Sequence, residues 1–252
     1  MSDKPILFSG PMVRALLAGT KTQTRRTIST KQGLRPNLFD GTWADSYVLD
    51  PGNQSWRDEA LRYHVGDRLW VKETSTIAGW GEDGEVWVTY SADNSRSKTL
   101  YPDNEDFLER LCNRVEKAGA ALGEDGMYQD IPPSALVRPS IFMPRWASRI
   151  TLTITDARVE RLQSISDEDA IAEGIERVSY NGTDPTYAGD FGWRDYRDHP
   201  HAVVPFDKTR PALSYESLWS SINGPGSWDA NPWVAAYTFT VKLGNIDAEH
   251  AP

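Results

Sequence analysis

The segment Lys21-Thr22-Gln23-Thr24-Arg25-Arg26 sets an amine and a hydroxyl three residues apart. In a tight or helical turn, positions three apart face the same way, so the Lys21 amine and the Thr24 hydroxyl would converge on one point. A hydroxyl attacks a carbonyl only when a neighbour takes its proton. A lysine takes it only in the neutral form, which burial or nearby positive charge favours. Arg25 and Arg26 supply such charge. A third group joins them on different grounds. Glu73 ends a predicted strand over 69–74 and shares a face with Leu69 and Val71, because side chains alternate along a strand. A carboxylate on an apolar face must be paired or hydrogen-bonded. Partners are available in the basic turn; a purely structural salt bridge is the competing reading. Lys-x-x-Thr is a common spacing, so the pattern alone carries little weight.

The elements around these residues define what must position them. A strand over 4–9 leads through Gly10-Pro11 into a helix with proline at its first position, and Gly19 closes that helix. The basic turn follows. Val65-Gly66-Asp67-Arg68 turns into the strand 69–74, and 85–90 is a further strand. Phe107, Leu111, Val115, Ala118 and Leu122 fall at helical spacing, with Cys112 as packing beside them. Strict alternation from Arg149 to Thr155 marks a half-buried strand that continues toward Leu162. Ser166, with Asp169 three residues on, starts a helix in the manner of a capping box, and Gly174 ends it. A short helix over 215–222 and a strand over 233–241 complete the chain. The stretches 29–64 and 177–213 are irregular. Many strands and few short helices predict an α+β chain built as a small β-barrel with surrounding helices and long loops, in one domain.

Composition narrows the function. The chain has 252 residues, 39% of them hydrophobic and 25% charged, which suits a folded core rather than a disordered tail. One cysteine excludes an internal disulfide and a cysteine metal cluster. The first residues do not read as a signal peptide and no apolar run has the length of a membrane span, so the sequence suggests the cytoplasm and no membrane partner. The net charge of −9 argues against a general polyanion binder. Its distribution argues differently. No acidic residue falls between Asp3 and Asp40, a stretch carrying Lys4, Arg14, Lys21, Arg25, Arg26, Lys31 and Arg35. Such a segment either serves an anionic ligand or pairs with carboxylates elsewhere.

Three stretches together, Gly-Thr-Lys-Thr-Gln-Thr-Arg-Arg, Val-Gly-Asp-Arg-Leu-Trp-Val-Lys-Glu and Met-Pro-Arg-Trp-Ala-Ser-Arg-Ile, resemble the ASCH family of the PUA-like superfold, and more closely its larger phage- and prophage-type members. The resemblance covers 4–28, 65–74, 139–175 and 214–241, and leaves 29–64, 78–135 and 177–213 as insertions in a single domain over 1–252. It implies a small β-barrel with a cleft and an RNA-related role. In small members that hydrolyse N4-acetylcytidine, a lysine, a threonine three residues on and a glutamate ending the Gly-Asp strand are catalytic; those positions are Lys21, Thr24 and Glu73. The resemblance therefore implies an amidohydrolase acting on N4-acylated cytidine or a related nucleoside or nucleobase, with no cofactor and no metal. An RNA-binding module, or an ASCH-type ribonuclease using the same basic cleft, are the alternatives. Arg25, Arg26, Arg145 and Trp146 are the candidate substrate contacts, Trp146 as a stacking surface or as a packing wedge. His199 and His201, near Asp195, Asp198 and Asp207, make a weak metal set because Pro200 separates them. Ser9 and Ser148 lack a sequence-visible base.

Overall fold

The computed structural model describes residues 2–28, 38–102, 106–179, 191–197 and 210–248. The chain forms two compact units, each assembled from separated stretches. The first takes 18–67 and 153–240; the second takes 2–17, 68–152 and 241–252. The architecture is mixed α+β with several sheets. No helix among the described residues is long and apolar enough to cross a membrane.

The largest sheet runs in the order Asp3–Leu7, Arg68–Lys72, Ile150–Arg161, Trp233–Leu243, Gln23–Thr27. The three strands expected over 69–74, 149–155 and 233–241 thus share one sheet, and among the described residues its strand order is open rather than closed into a barrel. Asp3–Leu7 and Arg68–Lys72 pair in parallel within the second unit. Trp233–Leu243 and Gln23–Thr27 pair antiparallel within the first, with Tyr237 opposite Thr24. Ile150–Arg161 is a single twelve-residue strand, so the alternation at 149–155 and the run 158–162 belong to one element. Residues Trp233 to Tyr237 are buried in succession, as a strand covered on both faces requires.

The first unit departs from the sequence expectation in two places. The segment Gln23–Thr27 is a strand, not a turn. Pairing with Trp233–Leu243 fixes it extended, and an extended backbone sends alternate side chains to opposite faces. The stretch 38–64 also carries helices, at Asp45–Val48 and Gln54–Ala60. Leu38 and Val48 are buried there; their apolar burial, worth about 1.5–3 kcal/mol each, explains order where the punctuation suggested a loop.

The second unit holds its own core of Ile77, Val86, Val88, Tyr90, Leu111, Val115 and Met143. Ser75–Trp80 pairs antiparallel with Val86–Tyr90 and with the short strand Val137–Arg138. The helix Asp106–Lys117 buries Leu111 and Val115. The strand expected at 85–90 and the helix expected around 107–122 thus appear within the stretch 78–135 as Val86–Tyr90 and Asp106–Lys117.

Candidate functional site

Local geometry leads Lys21 to its place. Gly19, at φ +72°, ends the helix Gly10–Leu17, a conformation glycine adopts at little cost. Thr22 is then stitched on both sides: its N–H donates to Ala172 O at 2.8 Å, and its carbonyl accepts from Phe239 N–H at 2.9 Å. The residue after Ala172 is Glu173, and its carboxylate meets Lys21. Lys21 Nζ donates to Glu173 Oε2 at 2.9 Å and to the Glu173 carbonyl at 2.7 Å. Lys21 is 1% exposed and Glu173 3%. Burial pushes the Lys21 pKa below the ordinary lysine value; Glu173 opposes that shift, while Arg26 and Arg25 add to it. The arginines thus act in the direction inferred from the sequence, with burial the larger cause.

Arg25 is the strut of this network. Its Nε and NH2 donate to Glu160 Oε1 at 2.9 and 2.6 Å, and NH2 also to Asp169 Oδ2 at 2.7 Å. Its NH1 donates to Gln23 Oε1 at 2.5 Å and to Glu173 Oε1 at 3.2 Å. Burial works against the Arg25 charge, yet Glu173 and Glu160 hold its pKa above the usual arginine value. Arg158 meets the same carboxylates, donating to Glu160 Oε2 at 3.0 Å and also to Asp169. The enclosed Tyr215 ring lies 5.9 Å from the Arg25 guanidinium, and burial raises its phenol well above the usual value. All three nitrogens of Arg25 are engaged within the protein, so in this structure it braces Glu160, Asp169 and Glu173. Arg26, one residue on, is exposed.

Thr24 is buried, 4% exposed, and strand alternation turns its side chain to the face opposite Gln23 and Arg25, which carry the network; among the described residues its hydroxyl has no hydrogen-bond partner. Glu173 and Asp169 were not identified from the sequence. Ser166 caps the helix Asp167–Ala172 as expected, its Oγ accepting from Asp169 N–H at 3.1 Å. The overlooked signal lies at the other end. An acid at the C-cap, Glu173, faces the negative pole of the helix and requires a cation nearby.

Glu73 belongs to the second unit, and what answers its carboxylate there is Arg149. Arg149 Nε and NH2 donate to Glu73 Oε1 and Oε2 at 2.7 and 2.8 Å, a bidentate fork. NH1 and NH2 of the same guanidinium donate to Asp93 at 2.9 and 3.1 Å. The guanidinium also sits 3.9 Å from the centre of the Tyr90 ring. Burial pushes the Glu73 pKa up, and Arg149 only partly offsets it because Asp93 shares the same cation. The more exposed Asp93 is pulled down to about 2, chiefly by its hydrogen bond to Arg149.

These opposite shifts predict a stability profile with two limbs in acid. Glu73 binds its proton more readily folded than unfolded, so stability increases as pH falls through its raised pKa toward 4.5. Asp93 does the reverse: its contribution is present above 3.8 and is lost as pH falls toward about 2. In Asp93→Asn the second limb should disappear from urea-unfolding free energies measured across that range. An unchanged acid limb would show that Asp93 does not couple to Arg149 in solution.

Of the other candidates, Arg145 is committed to two carboxylates of the second unit. It donates to Asp247 at 2.8 and 2.6 Å and to Asp3 at 2.5 Å. Trp146 meets Phe107 edge-on at 5.0 Å and lines a cavity of the second unit. Ser148 Oγ donates within the backbone network, to Val71 O at 2.9 Å. Cys112 is a partly buried free thiol. His199, His201, Asp198 and Asp207 lie outside the described residues; Asp195 accepts from Arg197 N–H at 3.0 Å. Among the described residues no group of three histidine, cysteine or acidic side chains is arranged to hold a metal.

No family model, curated protein or solved structure matches the chain.

Proposed function

We propose that this chain is a metal-independent amidohydrolase, built on an ASCH-type PUA-like barrel, that removes the N4-acyl group from acylated cytidine or a related cytosine nucleoside. The observation that carries the reading is Lys21, an enclosed lysine whose pKa burial drives downward, toward the neutral form in which an amine accepts a proton. Thr24 supplies an unengaged hydroxyl in the same unit, on the other face of its strand from Gln23 and Arg25, so its proton must reach Lys21 through a bridging water.

In this mechanism Thr24 Oγ1 attacks the exocyclic amide carbonyl and Lys21 takes the hydroxyl proton. The C–N bond breaks, the cytosine amine leaves with the proton from Lys21, and the acyl group stays on Thr24 as an ester. Water, deprotonated by Lys21, then attacks the ester, the acyl C–Oγ1 bond breaks, the proton on Lys21 returns to Thr24 Oγ1, and the carboxylic acid leaves. Glu173 orients the amine through the hydrogen bond to Oε2. Arg25 holds Glu173 in turn. The exposed side chain of Arg26 supports a substrate contact for that residue. Glu73 enters through the resemblance alone. Lost turnover in Glu173→Gln with Glu73→Gln unaffected would give the orienting role to Glu173, and the converse would give it to Glu73.

The near-complete enclosure of Lys21 and Arg25 favours a second reading, in which the network is a structural brace and the chain binds modified nucleosides or RNA without cleaving them. Incubating the chain with N4-acetylcytidine separates the two. Cytidine and acetate should appear in equal amounts, at a rate unaffected by a metal chelator. Activity lost to the chelator and restored by zinc would overturn the Lys21–Thr24 mechanism. Binding of the nucleoside without turnover would leave the brace.

A further inference from the structure

The cavity beside Trp146 is built for something the Lys21 chemistry does not use. It lies wholly within the second unit, has a volume of about 490 Å³, and is lined by Phe107, Trp146, Arg110, Arg114 and Arg138 among others. That volume falls in the range of small-molecule sites. Phe107, Arg110 and Arg114 stand three and four residues apart on the helix Asp106–Lys117, so they project from one face. Arg138 comes from the short strand Val137–Arg138, its guanidinium 5.7 Å from the centre of the Phe107 ring.

The charge here is uncompensated. Eight other arginines meet carboxylates, Arg25, Arg68, Arg145, Arg149, Arg158, Arg161, Arg194 and Arg197, whereas Arg57 is answered by carbonyls and Gln54. Among the described residues no carboxylate pairs with Arg110, Arg114 or Arg138. Arg114 is anchored by carbonyls, donating to Val137 O at 3.1 Å and Ser134 O at 3.3 Å. Arg138 and Arg110 donate no hydrogen bond to the protein. The Arg138 guanidinium carries five N–H donors that the protein leaves to solvent beside a second cation, an arrangement that attracts an anion. The lowered Arg138 pKa, from burial first and Arg114 second, reports the same field. An anion would relieve it. The remaining walls are aromatic and apolar, with Phe142 and Pro144 beside Trp146, and an aromatic wall next to arginines accepts a flat ring.

We propose that this cavity is a ligand site for a nucleoside monophosphate, its phosphate held by Arg110, Arg114 and Arg138 and its base lodged against Phe107 and Trp146. The site shares no residue with the Lys21–Thr24 set, so either can fail without the other. Bidentate phosphate contacts by arginine are charge-assisted and stronger than neutral hydrogen bonds.

Titration calorimetry of the full chain with adenosine monophosphate, uridine monophosphate, adenosine and inorganic phosphate tests it. A monophosphate should bind with Kd below about 1 mM, at least about 10-fold more tightly than inorganic phosphate or adenosine, since both halves of the ligand contribute. The double variant Arg114→Gln/Arg138→Gln should weaken the nucleotide by at least about 10-fold. Arg110→Gln, at an exposed helical position that leaves the core intact, should weaken it in the same direction if the double variant fails to fold. Nucleotide binding no tighter than phosphate would overturn the ring contact. Undiminished binding in folded Arg114→Gln/Arg138→Gln and Arg110→Gln, or no saturable binding by the unaltered chain, would overturn the site.

Discussion

Thr24→Val should abolish turnover of N4-acetylcytidine while leaving the chain as stable as before. The two halves of this expectation come from the same observation. The Thr24 hydroxyl has no hydrogen-bond partner among the described residues, so removing it leaves no buried group unsatisfied, the usual source of large losses. Valine keeps the β-branched shape that suits a strand, and Thr24 is paired in register with Tyr237. Any stability change should therefore remain within about 1 kcal/mol. Catalysis fares differently if the hydroxyl is the nucleophile, because then no covalent intermediate forms. A loss of at least about 10³-fold in kcat is expected, with KM little changed, since a nucleophile acts mainly after binding. Thr24→Ser keeps the hydroxyl and should retain part of the rate. Below the depressed Lys21 pKa the rate should fall as the amine takes up a proton, which places the acid limb of the pH profile under the ordinary lysine value of 10.5. Full activity in folded Thr24→Val would eliminate the ester route and leave Lys21 to activate water directly.

What the sequence made legible follows from which signals are local. Ser166, Gly174 and the alternation at Ile150, Leu152 and Ile154 are read within a few residues, and each is found as expected. The strand Trp233–Leu243 was legible for the same reason. Lys21 and Thr24 were singled out by type and spacing, and both are enclosed in the first unit. Their predicted geometry as a turn was not realised, because Gln23–Thr27 owes its extended form to pairing with a strand more than two hundred residues away. No window around Lys21 contains that information. The partner of Lys21 was hidden for a related reason: Glu173 lies 152 positions along the chain, and only the misplaced charge at a helix end hinted at it. Arg149 gave no such hint. It was read as the first residue of a strand, whereas its guanidinium organises Glu73 and Asp93 at once. The apolar spacing of Phe107, Leu111 and Val115 marked the helix but said nothing of Arg110 and Arg114, which line a cavity with Arg138 and Trp146 only in the folded unit.

Lys21→Met should lower stability by about 3–5 kcal/mol, the usual cost of removing one partner from a buried ion pair. The variant strips Glu173 Oε2 of its donor in an enclosed site, leaving a carboxylate whose remaining cation, Arg25 NH1, stands at 3.2 Å and is shared with Gln23. The expected drop in Tm is on the order of 10 °C for a chain of this length. The double variant Lys21→Met/Glu173→Leu should lose much less than the sum of the single losses, because it removes the stranded charge together with its partner, and apolar replacement of a whole buried pair is often close to neutral. Arg25 keeps Glu160 and Asp169 in either background. Alkaline pH supplies an independent check. With its pKa below 10.5 when folded, Lys21 gives up its proton earlier in the native state than in the unfolded one. The unfolded state then binds more protons, so stability increases as pH rises from the folded value toward 10.5. That increment should be missing from Lys21→Met and so appear in the difference between the unaltered chain and the variant, measured by urea unfolding at successive pH values. A single-variant loss under about 1 kcal/mol, the size seen for exposed pairs, together with an unchanged alkaline slope, would mean that solvent reaches Lys21 and that burial does not set its proton affinity.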